Sequence, residues 1–152
     1  MVETLIAVAG SLVGVVIGSM FTYTFTKHAQ VSKALQDARI AAYAKFASAL
    51  MDYRRALLER WFVDDGASPS PGSDDGVYVT RSSAWGAYFE VQLLAAEDPI
   101  RAAARTALDS TSAIKDATDR LDLVSRSDRS RADVEAFIVQ SRSDIASYLR
   151  AL

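Results

Sequence analysis

The hydrophobic positions divide the chain into one wholly apolar stretch and a series of one-sided ones. Residues 5–26, LIAVAGSLVGVVIGSMFTYTFT, contain no charged side chain. A helix of that length is about 33 Å long, enough to cross a hydrocarbon layer ~30 Å thick. Ten of its residues are Leu, Ile, Val or Phe. Each favours insertion by about 0.3–0.6 kcal/mol near the bilayer centre, where one Asp or Lys would cost about 2.5–3.5 kcal/mol. The pattern predicts a transmembrane anchor over residues 1–26. A secretory signal fits less well, because Met1-Val2-Glu3-Thr4 carries no base, the apolar run is too long and no cleavage site follows.

Beyond the anchor the apolar residues recur at steps of three and four, the period of one helix face. Residues 28–61 lack Pro and Gly and carry Leu35, Ala42, Phe46, Ala49, Leu50, Tyr53, Leu57 and Trp61 at that spacing. Residues 63–76 break the pattern with Gly66, Pro69, Pro71, Gly72 and Gly76, so a mobile surface loop is expected over 63–79. Its two Asp-Asp-Gly triplets lack the alternating acidic spacing and distant Glu of a calcium loop.

Helix is expected to resume at Thr80 or Ser82, with Trp85, Tyr88, Phe89, Leu93 and Ala96 as its stripe. Asp98 as N-cap with Pro99 behind it starts another. That helix continues through Ile100, Ala104, Ala107, Leu108, Thr111, Ile114, Thr118 and Leu121 to about Asp122. Residues 125–130 are polar and read as a connection. A last helix follows on Val134, Phe137, Ile138, Ser141, Ile145, Tyr148, Leu149 and Leu152. The expected fold is all-α: an N-terminal transmembrane helix continuing into a cytoplasmic antiparallel bundle of three to four helices over residues 27–152.

Charge sets the expected orientation. Residues 27–60 carry seven Lys or Arg against three Asp or Glu, whereas 61–122 carry five against eleven. Positive flanks stay on the cytoplasmic side, so the N-terminus is expected outside and the bundle at the inner face of the cytoplasmic membrane. Lys27, His28 and Lys33 are then membrane-interface residues, and the lipid bilayer is the first partner. Within the anchor, Gly10, Gly14, Gly18 and Thr22 share one face. Small residues at this spacing let two helices approach closely in lipid, which predicts self-association through the transmembrane helix.

Candidate chemistry changes little. The chain has no cysteine and one histidine. No metal site, cofactor or catalytic residue is expected, because no nucleophile motif, Walker loop or dinucleotide loop occurs outside the apolar segment. Arg54-Arg55 and Asp119-x-x-Asp122 read as solvated faces. No basic run is dense enough for nucleic acid. Trp61 and Trp85 read first as core and, where exposed, as partner-binding residues.

The stretch ARIAAYAKF at 38–46, then YRRAL at 53–57 and FIVQSRSDI at 137–145, behind a glycine-rich anchor, resembles small membrane-anchored helical proteins of high-GC Gram-positive bacteria and their phages. The resemblance implies architecture and supplies no site residues. The leading expectation is a non-enzymatic, membrane-tethered interaction protein that recruits or blocks another membrane or cytoplasmic protein, in phage exclusion or envelope modulation. The alternative is a holin-like oligomer that permeabilises the membrane.

Overall fold

The structure, a computed structural model, describes residues 33–63 and 73–150, with the side chains of 73, 74 and 147–150 left aside. The anchor over 1–26 with Gly10, Gly14, Gly18 and Thr22, the interface residues Lys27 and His28, and loop residues 64–72 lie outside them. Lys33 is helical and exposed. The chain divides into two compact units, Met1–Asp37 and Ala38–Leu152. Of the first, residues 33–37 are described and are helical. Among the described residues, no helix is long and apolar enough to cross a membrane.

The described residues form four helices and no strand: α1 (33–63), α2 (Ser73–Leu94), α3 (Asp98–Ser112, followed by a 3-10 turn at Ala113–Asp116) and α4 (Arg120–Arg150). Each helix runs antiparallel to its two neighbours, as the residue pairs show. Arg39 and Lys45 of α1 meet Leu94 and Glu90 of α2, and Tyr43 and Arg54 of α1 meet Asp144 and Ser127 of α4. Trp85 and Gln92 of α2 meet Arg105 and Arg101 of α3, while Thr111 and Ala113 meet Ser130 and Arg126 of α4. The result is an up-down-up-down four-helix bundle.

Heptad-spaced residues fill the centre. α1 buries Tyr43, Phe46, Leu50, Tyr53 and Leu57, α3 buries Ile100, Ala104, Ala107 and Thr111, and α4 buries Leu123, Ser127, Ser130, Val134, Phe137, Ser141 and Asp144. The facing stripe of α2 is small (Val77, Ala84, Ala87, Val91, Ala95), which lets its backbone sit close to the aromatic centre. There Phe46 meets Phe137 edge to face at 5.0 Å and Tyr43 meets Phe137 at 6.0 Å, geometries that add to simple burial.

Three boundaries differ from expectation. Helix α2 starts at Ser73, seven residues before Thr80, so 73–79 is helix and not loop. Asp75 falls in its first turn, where the helix dipole favours a carboxylate, and buried Val77 anchors that turn. Helix α3 begins at Asp98 behind Glu97 as N-cap, with Pro99 in the first turn. It ends near Ser112 instead of running on to Asp122, and Ala117 is extended.

The third difference is the start of α4. Asp119 accepts the Asp122 backbone N–H at 2.8 Å, and the Asp122 carboxylate reaches back to the Thr118 N–H at 3.1 Å. This reciprocal arrangement satisfies helix-end donors in the manner of a capping box. The Asp119-x-x-Asp122 pair is therefore a helix start. Residues 125–130, expected as a connection, lie inside α4.

Candidate interaction surfaces

Helix α2 is apolar on two opposite faces. Its inner face is the small stripe just described. The outer face carries Tyr78, Val79, Phe89 and Leu93, which are 64%, 68%, 56% and 85% exposed. Large apolar side chains left in water on one stripe mark an interaction surface more often than isolated ones do. Trp85, Tyr88 and Phe89 form a ring cluster at the edge of this face, with centroids 5.6–5.8 Å apart. The Arg105 guanidinium sits 5.5 Å over the Trp85 ring. It donates to Asp109 at 2.8 Å. Its bonds to Asp109 and Tyr88 raise its pKa further, and it stays a cation over the π face.

Gly86 lies in the middle of the outer face. A Cβ built there meets nothing within 4 Å, so no close approach inside the bundle requires a glycine. In a helix interior it costs about 1 kcal/mol relative to Ala. The bundle itself offers no return for that cost.

The two tryptophans belong to separate clusters. Trp85 is half-buried beneath Arg105. Trp61, also half-buried, packs edge to face on exposed Phe62 at 5.4 Å and lines a pocket of about 230 Å³ with Leu57, Arg60, Ile114, Lys115 and Asp116. A shallow groove of about 340 Å³ runs between α1 and α4 over Ser48, Met51, Val134 and Ile138.

Polar groups inside the bundle are structural in placement. Tyr43 donates to Asp144 Oδ2 at 2.8 Å, both residues being buried. Burial first, and the bond to Asp144 second, hold the Tyr43 phenol well above its ordinary pKa. Beside them, Arg39 Nε and Arg101 Nη2 donate to the Leu94 and Ala95 carbonyls, each at 2.7 Å. Helix α2 has no basic residue in its last turn, so these two arginines satisfy its terminal carbonyls and complement its dipole. At the other end, Arg54 Nη2 donates to Ser127 Oγ at 2.6 Å, and Thr111 Oγ1 and Ser130 Oγ are 2.8 Å apart.

Among the described residues no three His, Cys, Asp or Glu side chains are grouped to hold a metal. The sequence reading missed the outer face as a surface distinct from Trp85. The signal was present in the spacing of Val79, Ser82, Gly86, Phe89 and Leu93.

Exposed large apolar residues occur on α1, α2 and α4, and those of α2 line up along its outer face. Residues 40–145, which span all four helices, match the KilB plasmid transfer protein family. The chain belongs to that family. Neither a curated protein nor a solved structure matches it. The family's description names plasmid transfer and bears on neither the high-GC bacteria nor the phages of the sequence resemblance.

Proposed function

We propose that the chain is a non-enzymatic, membrane-tethered interaction protein of plasmid transfer. Its bundle recruits or blocks a partner of the transfer process at the cytoplasmic face of the membrane. The observation that carries this reading is the outer face of α2: it is apolar, exposed, and set on a closed bundle that has no internal use for it. Tethering is supported by the uncharged apolar run over residues 5–26 and by the basic excess immediately after it. Family membership supplies the process in which the surface would act.

The test compares full-length protein with a chain lacking residues 1–26 in plasmid-bearing cells. The full chain sediments with membranes, resists extraction by carbonate and supports transfer. The truncated chain is soluble and inactive while keeping its helical circular dichroism. Full transfer from the truncated chain would refute the tethered reading.

A further inference from the structure

The outer face of α2 has an internal order. Val79, Ser82, Gly86, Phe89 and Leu93 of α2, and Ala96 just past its end, follow one another at steps of 3, 4, 3, 4 and 3, and all six are exposed. This is the spacing of a coiled-coil seam, and it lies on the opposite side of α2 from Val77, Ala84 and Val91. None of the six is charged. Three are large (Val79, Phe89, Leu93) and three are small (Ser82, Gly86, Ala96).

We propose that this seam pairs with the same seam of a second copy of the chain, antiparallel, about a two-fold axis between Ala87 and Tyr88. The inference rests on the outer face of α2 being an interaction surface and names what covers it. In that register Phe89 of each copy lies over Gly86 of the other and Leu93 over Ser82, while Val79 meets the chain just past the partner helix's end, at Ala96. Every layer then joins one large and one small residue, so the two helix axes stay evenly spaced and knobs fill holes. Parallel pairing would put Phe89 on Phe89 and Gly86 on Gly86, leaving a wedge. The order of sizes is thus self-complementary in one orientation, as an isologous two-fold contact requires.

Gly86 supplies a second, independent reason. The bundle has nothing near it, whereas a facing Phe89 needs the space that a Cβ would take. Helix α2 itself carries one basic residue, Arg81, and the cations at its edges are paired, Arg105 with Asp109 and Lys45 with Glu90, so the face lacks the free cationic flank that an anionic lipid surface would favour. In this register the two helices overlap over residues 81–94, and a strip about 21 Å long and ~12 Å wide covers about 250 Å² per copy, against about 800 Å² in a standard stable interface. The pair is accordingly reversible and forms as local concentration rises.

The absence of cysteine makes a direct test clean. Full-length chains bearing Ser82→Cys and Leu93→Cys on different tags are co-expressed, and unfractionated lysate is treated with a mild oxidant. Antiparallel pairing sets Ser82 of one copy beside Leu93 of the other, within disulfide reach, while Leu93 and its own equivalent stand about 16 Å apart. The expected result is a mixed-tag dimer from the co-expressed pair, with each single variant yielding about tenfold less. Adding Gly86→Leu to both chains abolishes it. Efficient self-linking of Leu93→Cys alone would show parallel pairing and overturn the proposal. Linkage to a different protein would overturn self-pairing while leaving the face an interaction surface. No linked species at all would overturn both.

Discussion

Tyr43 and Asp144, 101 residues apart in sequence, meet inside the bundle with the phenol donating to the carboxylate at 2.8 Å. The bond fixes the first helix against the last and sets their register. Tyr43→Phe keeps the ring contact with Phe137 and removes only the donor. Its expected cost is about 1–3 kcal/mol, because a buried carboxylate loses a partner. The pH dependence has a definite sign. The folded pKa lies above the ordinary value of 10.0, so the unfolded chain ionises first. This part of the stability is complete below pH 10 and is lost as pH rises beyond it. Urea unfolding from about pH 9 to about pH 11 should show a steeper loss for the wild type than for Tyr43→Phe.

The cap of α4 is expected to hold at neutral pH and to fade in acid. Asp119→Ala removes the acceptor for the Asp122 N–H and should cost about 0.5–2 kcal/mol. Asp122 itself is held below its ordinary 3.8, chiefly by its hydrogen bond from Arg126 and then by the Thr118 N–H. Its contribution is present above the ordinary carboxylate value and is lost as pH falls through the depressed one. Thermal melts of the wild type and Asp122→Asn should converge as the pH is lowered into that range.

Thr111 and Ser130 are both fully buried and satisfy each other across α3 and α4. Thr111→Val strands the Ser130 hydroxyl and should lower stability by about 1–3 kcal/mol. Adding Ser130→Ala removes the stranded group, and the double variant should recover most of that loss. A double-mutant cycle by denaturant unfolding measures the coupling.

Ser130 and its neighbour along α4, Ser127, also show why parts of the fold were hard to read. Regular apolar stripes announced α1 and α3, because Phe46, Leu50, Tyr53 and Ile100, Ala104, Ala107 repeat on one face. Residues 125–130 hid a helix because the core positions there are Ser127 and Ser130. Their inward placement depends on Arg54 and Thr111, which arrive from other helices. Helix α2 was misread for the opposite reason: apolar residues lie on both faces, so the stripe through Trp85, Phe89 and Leu93 hid the buried one of Ala84, Ala87 and Val91, and Gly76 and Gly86 weakened the signal of its start. The cap at Asp119 and Asp122 was legible as Asp-x-x-Asp but lay in what read as a continuous apolar repeat. Of the candidate surface, Trp85, Tyr88, Phe89 and Leu93 were visible as one stripe, but that Phe89 and Leu93 face outward was not, because exposure is a property of the packed bundle.

Gly86→Ala separates stability from function. The bundle gains about 0.5–1 kcal/mol, since a helix-interior glycine is replaced where space is open. Contact through the outer face of α2 weakens at the same time. A raised melting temperature together with reduced plasmid transfer is the expected outcome.

The account turns on the outer face of α2 being the working surface of a plasmid transfer protein. The most direct measurement is transfer frequency from donor cells whose plasmid encodes Phe89→Asp with Leu93→Asp, both on the exposed outer face. Two side chains of an interface centre are each worth more than about 1 kcal/mol, so transfer should fall by about tenfold or more. Protein level and melting temperature should be unchanged. Wild-type transfer from that variant would contradict the account.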